Sequence, residues 1–507
     1  MNRIAIALCL LSFSACVLEE NNPPKYDALS QAEAWHAGES PTLFDPNLAT
    51  EADALPESGE AANIPWAANY WPIYQDSINY RWNGANTLSP AAKYAAAFGV
   101  PDLENVVSAQ HGVDSFRGSR ASCTNSSQCN SSIGEACSFR EGNPMGVCIP
   151  TWFGICHAWA PVSIMEPEPV SPVTMNGVTF EVNDIKAYLT ILHDQVSHRF
   201  VSLRCNADDD SGQIQYDEFG RPLERACRDS NPGAFHVLIA NYLGLRNESF
   251  VYERVLDDEV WNQPLRGYEI TENREVSANE ANDLLGVTSS GDGSLENQGN
   301  YEVQLKNNQW FLVNAFPVAA GDTVIAELSG NGEGNLLIRF NGQPNAQQFD
   351  CLSAGPGSNE TCSAVAPQAG MAHVAIHETS AFGNHKLSVK IQKQGGIGGG
   401  DSYAFNNAAA SLRYIEMTVD YIAESPAHLD GNLSTSIDQF TKQDFYQYIL
   451  ELDAAGRIVG GEWVGNSKRK HPDFLWLPTG RTNDSILGGR INYWQVKQLL
   501  DLSLSTP

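Results

Sequence analysis

The sequence has few basic residues and no long apolar run beyond its first residues. Its 507 residues include 31 Lys and Arg against 60 Asp and Glu, a formal net charge of -29. A surface this acidic repels phosphate backbones, which argues against nucleic acid as a partner. After residue 16, no segment approaches the ~20 apolar residues of a membrane-spanning helix. The 42% hydrophobic content nevertheless excludes a disordered polymer, a coiled coil and a collagen-like chain.

The N-terminal residues have the pattern of an export signal. Arg3 precedes the apolar run 4–11, and small residues precede Cys16, so residues 1–16 are predicted to be a signal peptide. The ending resembles a bacterial lipobox, in which lipid on Cys16 would anchor the chain to a membrane. An ordinary cleaved signal is the alternative. The mature protein is therefore expected in the bacterial cell envelope as a lipoprotein or in the extracellular medium. Residues 17–60 are predicted to form a flexible tether.

Export makes the cysteine count informative, because thiols outside the cytosol tend to form disulfides. Apart from Cys9 and Cys16, the chain has a four-cysteine cluster within residues 123–148 and two local pairs. The spacing of the cluster favours a disulfide knob over a zinc module. One cysteine has no nearby partner. The residues concerned are Cys123, Cys129, Cys137 and Cys148 in the cluster, Cys205 with Cys227, Cys351 with Cys362, and Cys156 alone.

Mixed helix and strand patterns indicate an α+β fold. Residues 61–288 are predicted to form the first part of a catalytic domain and residues 401–507 the second part, which contributes strands to the same sheet. Between them, residues 289–400 have short strand patterns separated by Gly, Asn and Ser turns, followed by a glycine-rich linker. This segment resembles the β-sandwich domains that are appended to secreted bacterial peptidases. An inserted all-β sandwich is therefore expected.

The unpaired Cys156 is the candidate nucleophile. It follows Gly154 and precedes good helix formers, a pattern that predicts a sulfur atom at a helix N-terminus. The positive end of the helix dipole would lower the thiol pKa and favour the thiolate. The alternative is that Cys156 is only a small buried apolar residue.

A thiol nucleophile needs a base that can also protonate a leaving amine. His471 lies at a predicted loop-to-strand corner, where Asp473 could orient an imidazole. His236 lies in an apolar helical run, and the alternative to a role as the base is a structural role as a histidine packed in the core. Asp473 is too close in sequence to pair easily with His471, so it could instead orient His236. The sequence leaves the choice between the two histidines open.

Several segments together resemble the transglutaminase-elicitor family, first known from oomycete cell walls. They are Gly-Ile-Cys-His-Ala-Trp-Ala-Pro at 154–161, Val-Trp-Asn-Gln-Pro-Leu-Arg-Gly-Tyr at 260–268, Gly-Gly-Glu-Trp at 460–463 and His-Pro-Asp-Phe-Leu-Trp at 471–476. The resemblance implies a papain-like or transglutaminase-like cysteine acyltransferase core. It further implies that Cys156 is the nucleophile of a calcium-dependent protein-glutamine γ-glutamyltransferase, whose partners are proteins bearing glutamine and lysine. Residues 260–268 resemble a peptide that is exposed in that family.

Aromatic and acidic residues supply the remaining site predictions. Isopeptide formation requires a cleft poor in water, and the predicted substrate-binding walls are Trp159, Trp261 and Trp463. For any one of these tryptophans, a place in the core is the alternative. A loop that approaches the EF-hand pattern predicts a calcium site at Asp208, Asp210 and Glu218, although Ala207 occupies the first ligand position. Without calcium, this segment is a solvated acidic loop held by a disulfide.

Two other functional classes fit the same residues. The nucleophile and base would serve a cysteine peptidase or a glutamine deamidase if water reacted in place of an amine. A non-catalytic surface adhesin would bind through the inserted sandwich and carry an inert Cys156.

Overall fold

The computed structural model describes residues 38–206, 214–216, 221–223, 227, 230–254, 256, 259–286, 295–318, 321–368, 370–392, 403, 405–406 and 408–505. The predicted signal peptide, Cys16, the glycine-rich linker 395–400 and the predicted calcium ligands Asp208, Asp210 and Glu218 lie outside these residues.

Helix boundaries follow local capping chemistry. The Ser277 hydroxyl accepts the Glu280 backbone N–H at 3.2 Å, and Gly286 closes the same helix with φ 78°, as the capping-box pattern predicts. A second predicted helix begins at Val182, where Asp184 accepts the Glu181 backbone N–H at 2.8 Å. The described residues contain seven α-helices: α1 Pro90–Phe98, α2 Leu103–His111, α3 Cys156–Met165, α4 Val182–Leu192, α5 Pro232–Ile239, α6 Ala278–Leu285 and α7 Tyr493–Ser505.

One large antiparallel sheet forms the centre of the molecule. Its longest strand, Asn262–Val276, pairs with Ser411–Ile422. Segments that precede and follow residues 289–400 therefore belong to one sheet. The predicted strands at 413–421, 446–452 and 458–464 all lie in it. In spatial order its strands are Ile458–Trp463, Thr441–Leu452, Ser411–Ile422, Asn262–Val276, Val251–Glu253, Leu475–Arg481 and Val196–Val201, with Ser58–Glu60 also paired to Asn262–Val276.

Two apolar layers cover this sheet. On one side, α5 packs so closely that a Cβ on Gly233 would lie 2.3 Å from the Gly460 carbonyl oxygen. On the other side, α1, α3, α4 and α7 share a core that contains Trp159. The opposite face of α3 packs through Ala160 against Trp476 of the sheet. Because α3 is buried on both faces, it is apolar nearly all round, and its N-terminus is held against the strand Asn262–Val276.

Residues 295–392 form a unit of two antiparallel sheets. Apolar side chains from both sheets, including Val389 and Ile376, belong to one buried cluster, and the Cys351–Cys362 disulfide joins two of its strands. The first sheet contains Leu295–Lys306, Phe382–Gln392, Thr323–Asn331 and Glu360–Val365, and the second contains Trp310–Leu312, Gly370–Glu378, Gly334–Phe340, Cys351–Ser353 and Phe316–Val318.

Three smaller sheets complete the described strands. The Asn176-Gly177 turn joins a hairpin, as its sequence predicts, with positive φ at both residues. The three-stranded sheet carries the four-cysteine knob, in which Cys123 bonds to Cys137 and Cys129 to Cys148. These sheets contain Ser122–Cys123, Gly146–Pro150 and Glu135–Ser138; Val173–Met175 and Val178–Phe180; and Ser485–Ile486 and Ile491–Asn492.

The prediction of a tether over residues 17–60 is wrong for residues 38–60. Phe44 is fully buried, with edge-to-face contacts to Tyr242 and Phe250 at ring-centroid distances of 5.6 Å. Further on, Ser58–Glu60 adds a strand to the central sheet. The sparse apolar residues of this segment are enough to dock it because the cavity that receives Phe44 is lined by aromatic rings.

A fourth disulfide joins Cys205 to Cys227. Four disulfides are typical of a protein that folds outside the cytosol. Among the described helices, none combines the length and the apolarity that crossing a bilayer requires.

Candidate active site

Cys156 is the first residue of α3 and the one free cysteine among the described residues. The backbone N–H of Ile155, just before it, donates to the Tyr70 carbonyl at 2.8 Å. Gly154 permits this approach, since a Cβ there would lie 2.4 Å from the Tyr70 ring. The predicted position at a helix N-terminus is confirmed. The first N–H groups of a helix have no partner inside it and are available to bind an oxyanion.

The sulfur is held by the strand that begins at Asn262. The Cys156 thiol donates to the Val260 carbonyl at 3.6 Å, and the Asn262 side-chain amide donates to Sγ at 3.7 Å. The indole N–H of Trp476 donates to the Asn262 Oδ1 at 2.8 Å. Because an indole nitrogen can only donate, Trp476 fixes the orientation of the amide and directs its Nδ2 towards the sulfur.

The thiol pKa is higher than the sequence predicts. Burial, and next the charge of Glu424, raise the pKa of Cys156 to about 12, although hydrogen bonds from the backbone and side chain of Asn262 act to lower it. The expectation of a lowered pKa is wrong because desolvation and a nearby carboxylate outweigh the helix dipole. Cys156 is therefore a thiol at neutral pH and needs a base.

An aromatic edge borders the cysteine. The rings of Tyr70 and Trp261 lie 5.5 Å apart, and Trp261 is partly exposed; its role as a substrate-binding wall stays a prediction. The other two predicted wall residues lie in the interior. Trp159 is fully buried and donates to the Trp66 carbonyl, and Trp463 is buried and packs within the core behind the sheet.

In the described part of the chain, neither predicted histidine is a hydrogen-bond partner of the Cys156 sulfur. His236 Nδ1 is 2.8 Å from the Tyr448 hydroxyl, and burial lowers the His236 pKa to about 3. His471 Nδ1 is 2.9 Å from the Ser467 carbonyl, and its ring stacks on Trp463. Burial lowers the His471 pKa to about 4. Both imidazoles are interior residues that are neutral at pH 7.

Asp473 has a structural partner. Both of its carboxylate oxygens accept the Cys205 backbone N–H at 3.0 Å, which ties the Cys205–Cys227 disulfide to the strand Leu475–Arg481. Asp473 thus holds the disulfide in place, and its orientation of an imidazole stays a prediction.

Sequence reasoning missed three residues of this site. Asn262 and Trp476 orient the sulfur, and Glu424 exerts the largest charge effect on it. Glu424 is partly exposed, and its carboxylate accepts the Gln263 side-chain amide at 2.9 Å. Asn262 and Gln263 fall within the segment 260–268 that supports the family resemblance, which was the available signal. Glu424 lies outside every quoted motif.

The same segment corrects another expectation. Residues 260–268 were expected to resemble an exposed peptide, yet Asn262, Gln263 and Leu265 are buried in the central sheet. Burial follows from the position of the strand between Ser411–Ile422 and Val251–Glu253. The segment is therefore part of the site itself.

Among the described residues, one cluster has metal-ligand spacing: Cys123, Cys129 and Cys148. All three sulfurs are in disulfides, so this cluster is no zinc site.

The sequence profile of the transglutaminase elicitor family matches residues 39–287 and 390–506. These two segments make up most of the chain and contain Cys156, Asn262 and Glu424. The chain belongs to the transglutaminase elicitor family. The interruption of the match corresponds closely to the two-sheet unit at residues 295–392.

Among solved structures, the GP42 transglutaminase from Phytophthora sojae resembles this family member with 30% sequence identity and a TM-score of 0.59, covering 91% of this chain and 95% of that chain. This likeness supports a mixed α+β fold of the same kind. Two further matches have low TM-scores. The periplasmic g-type lysozyme inhibitor PliG of Aeromonas hydrophila matches at 15% identity over 18% of this chain and 85% of its own, with a TM-score of 0.17. The Bacillus licheniformis lipase BlEst2 matches at 11% identity over 32% and 43%, with a TM-score of 0.14. Comparison with curated proteins found no match.

Proposed function

We propose that this protein is a protein-glutamine γ-glutamyltransferase, a transglutaminase that acts through a thioester on Cys156. The observation that carries the proposal is the position of a free thiol at the N-terminus of α3, held by the Asn262 amide next to the paired rings of Tyr70 and Trp261. Family membership and the likeness to a solved transglutaminase support it.

In the first half-reaction, the Cys156 sulfur attacks the side-chain carbonyl carbon of a substrate glutamine. The thiol proton passes to a base as the carbon–sulfur bond forms, and the carbonyl oxygen becomes an oxyanion. The amide of Asn262 and the free N–H groups at the start of α3 are the donors for that oxyanion. When the carbon–nitrogen bond breaks, the base returns the proton to the leaving nitrogen, ammonia departs, and a γ-glutamyl thioester remains.

In the second half-reaction, a neutral lysine amine attacks the thioester. The amine loses a proton, the carbon–sulfur bond breaks, and the recovered thiol takes up the proton. Water competes with the amine at this step. Tyr70 and Trp261 form the apolar edge that limits the access of water, which favours transfer over hydrolysis.

Other predictions stay part of the proposal. We propose that the core is a papain-like cysteine acyltransferase and that residues 289–400 are an inserted β-sandwich domain, which the interrupted family match supports. The proposed substrates are proteins that bear glutamine and lysine. A lipid anchor at Cys16 and calcium binding at Asp208, Asp210 and Glu218 remain predictions for residues outside the described part of the chain.

Incorporation of a fluorescent primary amine into a glutamine-rich protein tests the function. The parent protein is expected to label the acceptor, and the Cys156→Ala variant is expected to be inactive. Ser434→Ala, which removes the hydroxyl of an exposed residue, is the control for expression and purification of a variant protein. Equal labelling by the Cys156→Ala variant and the parent would overturn the proposal.

The alternatives give different results in the same assay. Ammonia release without amine incorporation would identify a deamidase, and cleavage of the acceptor chain would identify a peptidase. If neither reaction occurs with folded protein and the thiol is inert towards alkylation, the adhesin alternative is supported.

A further inference from the structure

The two-sheet unit at residues 295–392 carries an exposed, glutamine-rich loop. Residues 341–350 connect the strands Gly334–Phe340 and Cys351–Ser353, and they include Gln343, Gln347 and Gln348. The consecutive residues 345–350 are all exposed. The family profile leaves most of this unit out, since its match stops at residue 287 and resumes at residue 390. These glutamines therefore lie outside the shared core, and their side chains are of the type on which the proposed enzyme acts.

Asn345 folds the tip of this loop into a tight turn. The Asn345 backbone N–H donates to the Gln348 carbonyl at 3.1 Å, and the Gln348 N–H donates to the Asn345 carbonyl at 3.3 Å. The Asn345 side-chain oxygen also accepts the backbone N–H groups of Gln347 and Gln348 at 2.9 and 3.0 Å. An asparagine side chain favours such turns because its oxygen reaches the backbone two residues further on. Ala346 and Gln347 are therefore the two residues at the tip.

Arg339 holds the base of the loop. Its Nη1 donates to the Gln343 carbonyl at 3.0 Å and to the Gln348 side-chain oxygen at 2.9 Å. The same oxygen of Gln348 accepts the Asn345 side-chain amide at 3.3 Å, and Gln343 precedes Pro344, which is buried. The loop is thus tied to the strand on both sides of its turn. Because it is already ordered, little conformational entropy is left to lose when the tip binds another surface.

The carboxamide of Gln347 is accessible at this tip. The residue is exposed, and its backbone N–H bonds to Asn345, while its side chain has no hydrogen-bond partner within the described part of the chain. Its neighbour Ala346 carries only a methyl group, which leaves the approach to the carboxamide open. By contrast, the side-chain oxygen of Gln309, an exposed residue of the same unit, accepts the Lys306 N–H at 2.8 Å. The structure thus presents Gln347 to a reacting group.

An exposed aromatic ring lies beside the tip. Phe349, two residues after Gln347, is 40% exposed. Burial of such a ring against another apolar surface stabilises a complex, and aromatic rings are favourable partners. Tyr70 and Trp261, the paired rings next to Cys156, are partners of this kind. The loop therefore offers a reactive carboxamide together with an apolar contact.

We propose that Gln347 is an acyl donor for the protein's own transglutaminase reaction, and so a site of covalent self-modification. This proposal rests on the proposed function. The Cys156 sulfur attacks the side-chain carbonyl carbon of Gln347, the carbon–nitrogen bond breaks, and ammonia leaves with the thiol proton. A primary amine, such as a lysine side chain, then displaces the sulfur and returns a proton to it. The net reaction replaces the ammonia of Gln347 by the amine, which links the two-sheet unit to an amine-bearing protein.

The test incubates the whole protein with a fluorescent primary amine and no added acceptor protein. After unfolding, reduction and digestion with chymotrypsin, cleavage behind Phe340 and Phe349 releases the peptide 341–349. This peptide should gain the mass of the amine less one ammonia, and its fragment spectrum should place the label on Gln347. The same peptide from the Cys156→Ala variant should carry no label.

Two matched variants show whether the reaction depends on this residue. Gln347→Glu keeps the size of the side chain but has no amine to release, so it should lower the label on peptide 341–349 by about 10-fold or more. Gln309→Glu makes the same change of charge in the same unit, at a carboxamide that is hydrogen-bonded, and should be labelled like the parent. Both variants should melt at the temperature of the parent, because both residues are exposed.

A second reaction that contains a glutamine-rich acceptor protein separates the inference from the function. The parent and Gln347→Glu should label this acceptor equally. Labelling of the acceptor without labelling of Gln347, or labelling of the chain only at other glutamines, would overturn the inference and leave the proposed function intact. If the folded parent labels neither protein, or if Cys156→Ala labels as the parent does, the proposed function is overturned and the inference with it.

Discussion

The Asn262 amide both holds the Cys156 sulfur and serves as a proposed oxyanion donor. Asn262→Ala deletes one donor to the sulfur and the acceptor of the Trp476 indole N–H. Loss of one oxyanion donor lowers kcat by about 100- to 1000-fold in enzymes of this type. We expect a decrease of that size in amine incorporation, with KM nearly unchanged because the donor acts mainly in the transition state.

The same change has a stability cost that must be separated from catalysis. The Trp476 N–H would be left buried without its acceptor, which costs about 1–3 kcal/mol. Asn241→Ala is a matched control, since Asn241 is also buried and its amide bonds to Ala49 and Val237 in the core. It should lose comparable stability in urea unfolding and keep its kcat.

Trp476→Phe completes the comparison, because it keeps Asn262 but removes the N–H that orients the amide. It should lower kcat by less than Asn262→Ala does. If Asn262→Ala retains the parent kcat, the assignment of this amide as an oxyanion donor is refuted.

Three further predictions concern the cleft, the N-terminal segment and pH. Trp261→Ala should increase the ratio of ammonia release to amine incorporation by admitting water, whereas Trp494→Ala, at an exposed position, should not. An unchanged ratio in Trp261→Ala would show that Trp261 does not shield the thioester from water. Phe44→Ala should lower the free energy of unfolding by about 3–5 kcal/mol, and Leu43→Ala, at an exposed position, by less than about 0.5 kcal/mol. Equally small effects of both changes would show that this segment is a flexible tether after all. His236 has a pKa of about 3 in the folded protein and of about 6.5 in the unfolded chain. The unfolded chain therefore binds more protons below pH 6.5, and the free energy of unfolding decreases as the pH is lowered from about 6.5 to about 3. Unfolding at pH 7 and pH 5 should show a smaller loss in His236→Gln than in the parent, and an equal loss would show that His236 is not buried as described.

Local signals in the sequence predicted the elements that local chemistry determines. The capping box at Ser277 and the turn at Asn176-Gly177 each produced the expected structure. The cysteine spacing identified the cluster and the two pairs that together form the four disulfides, without the pairing inside the cluster, and left Cys156 unpaired. These features depend on residues that are close together in the chain, so the sequence contains most of the information.

The errors concern interactions between distant segments. The pKa of Cys156 depends on Glu424, which is far away in sequence and reaches the sulfur only through the pairing of two strands. Trp159 and Trp463 became core residues because α3 is packed on both faces and because the sheet carries a helix layer behind it. The burial of residues 260–268 likewise follows from a central place in the sheet, which alternation alone does not predict.

Mass spectrometry of the protein after brief reaction with a glutamine peptide tests the central claim most directly. The account predicts an adduct on Cys156 with the mass of the peptide less one ammonia, which disappears when a primary amine is added and is absent from Cys156→Ala. An adduct on a different residue, or amine incorporation that proceeds without any adduct on Cys156, would contradict the account.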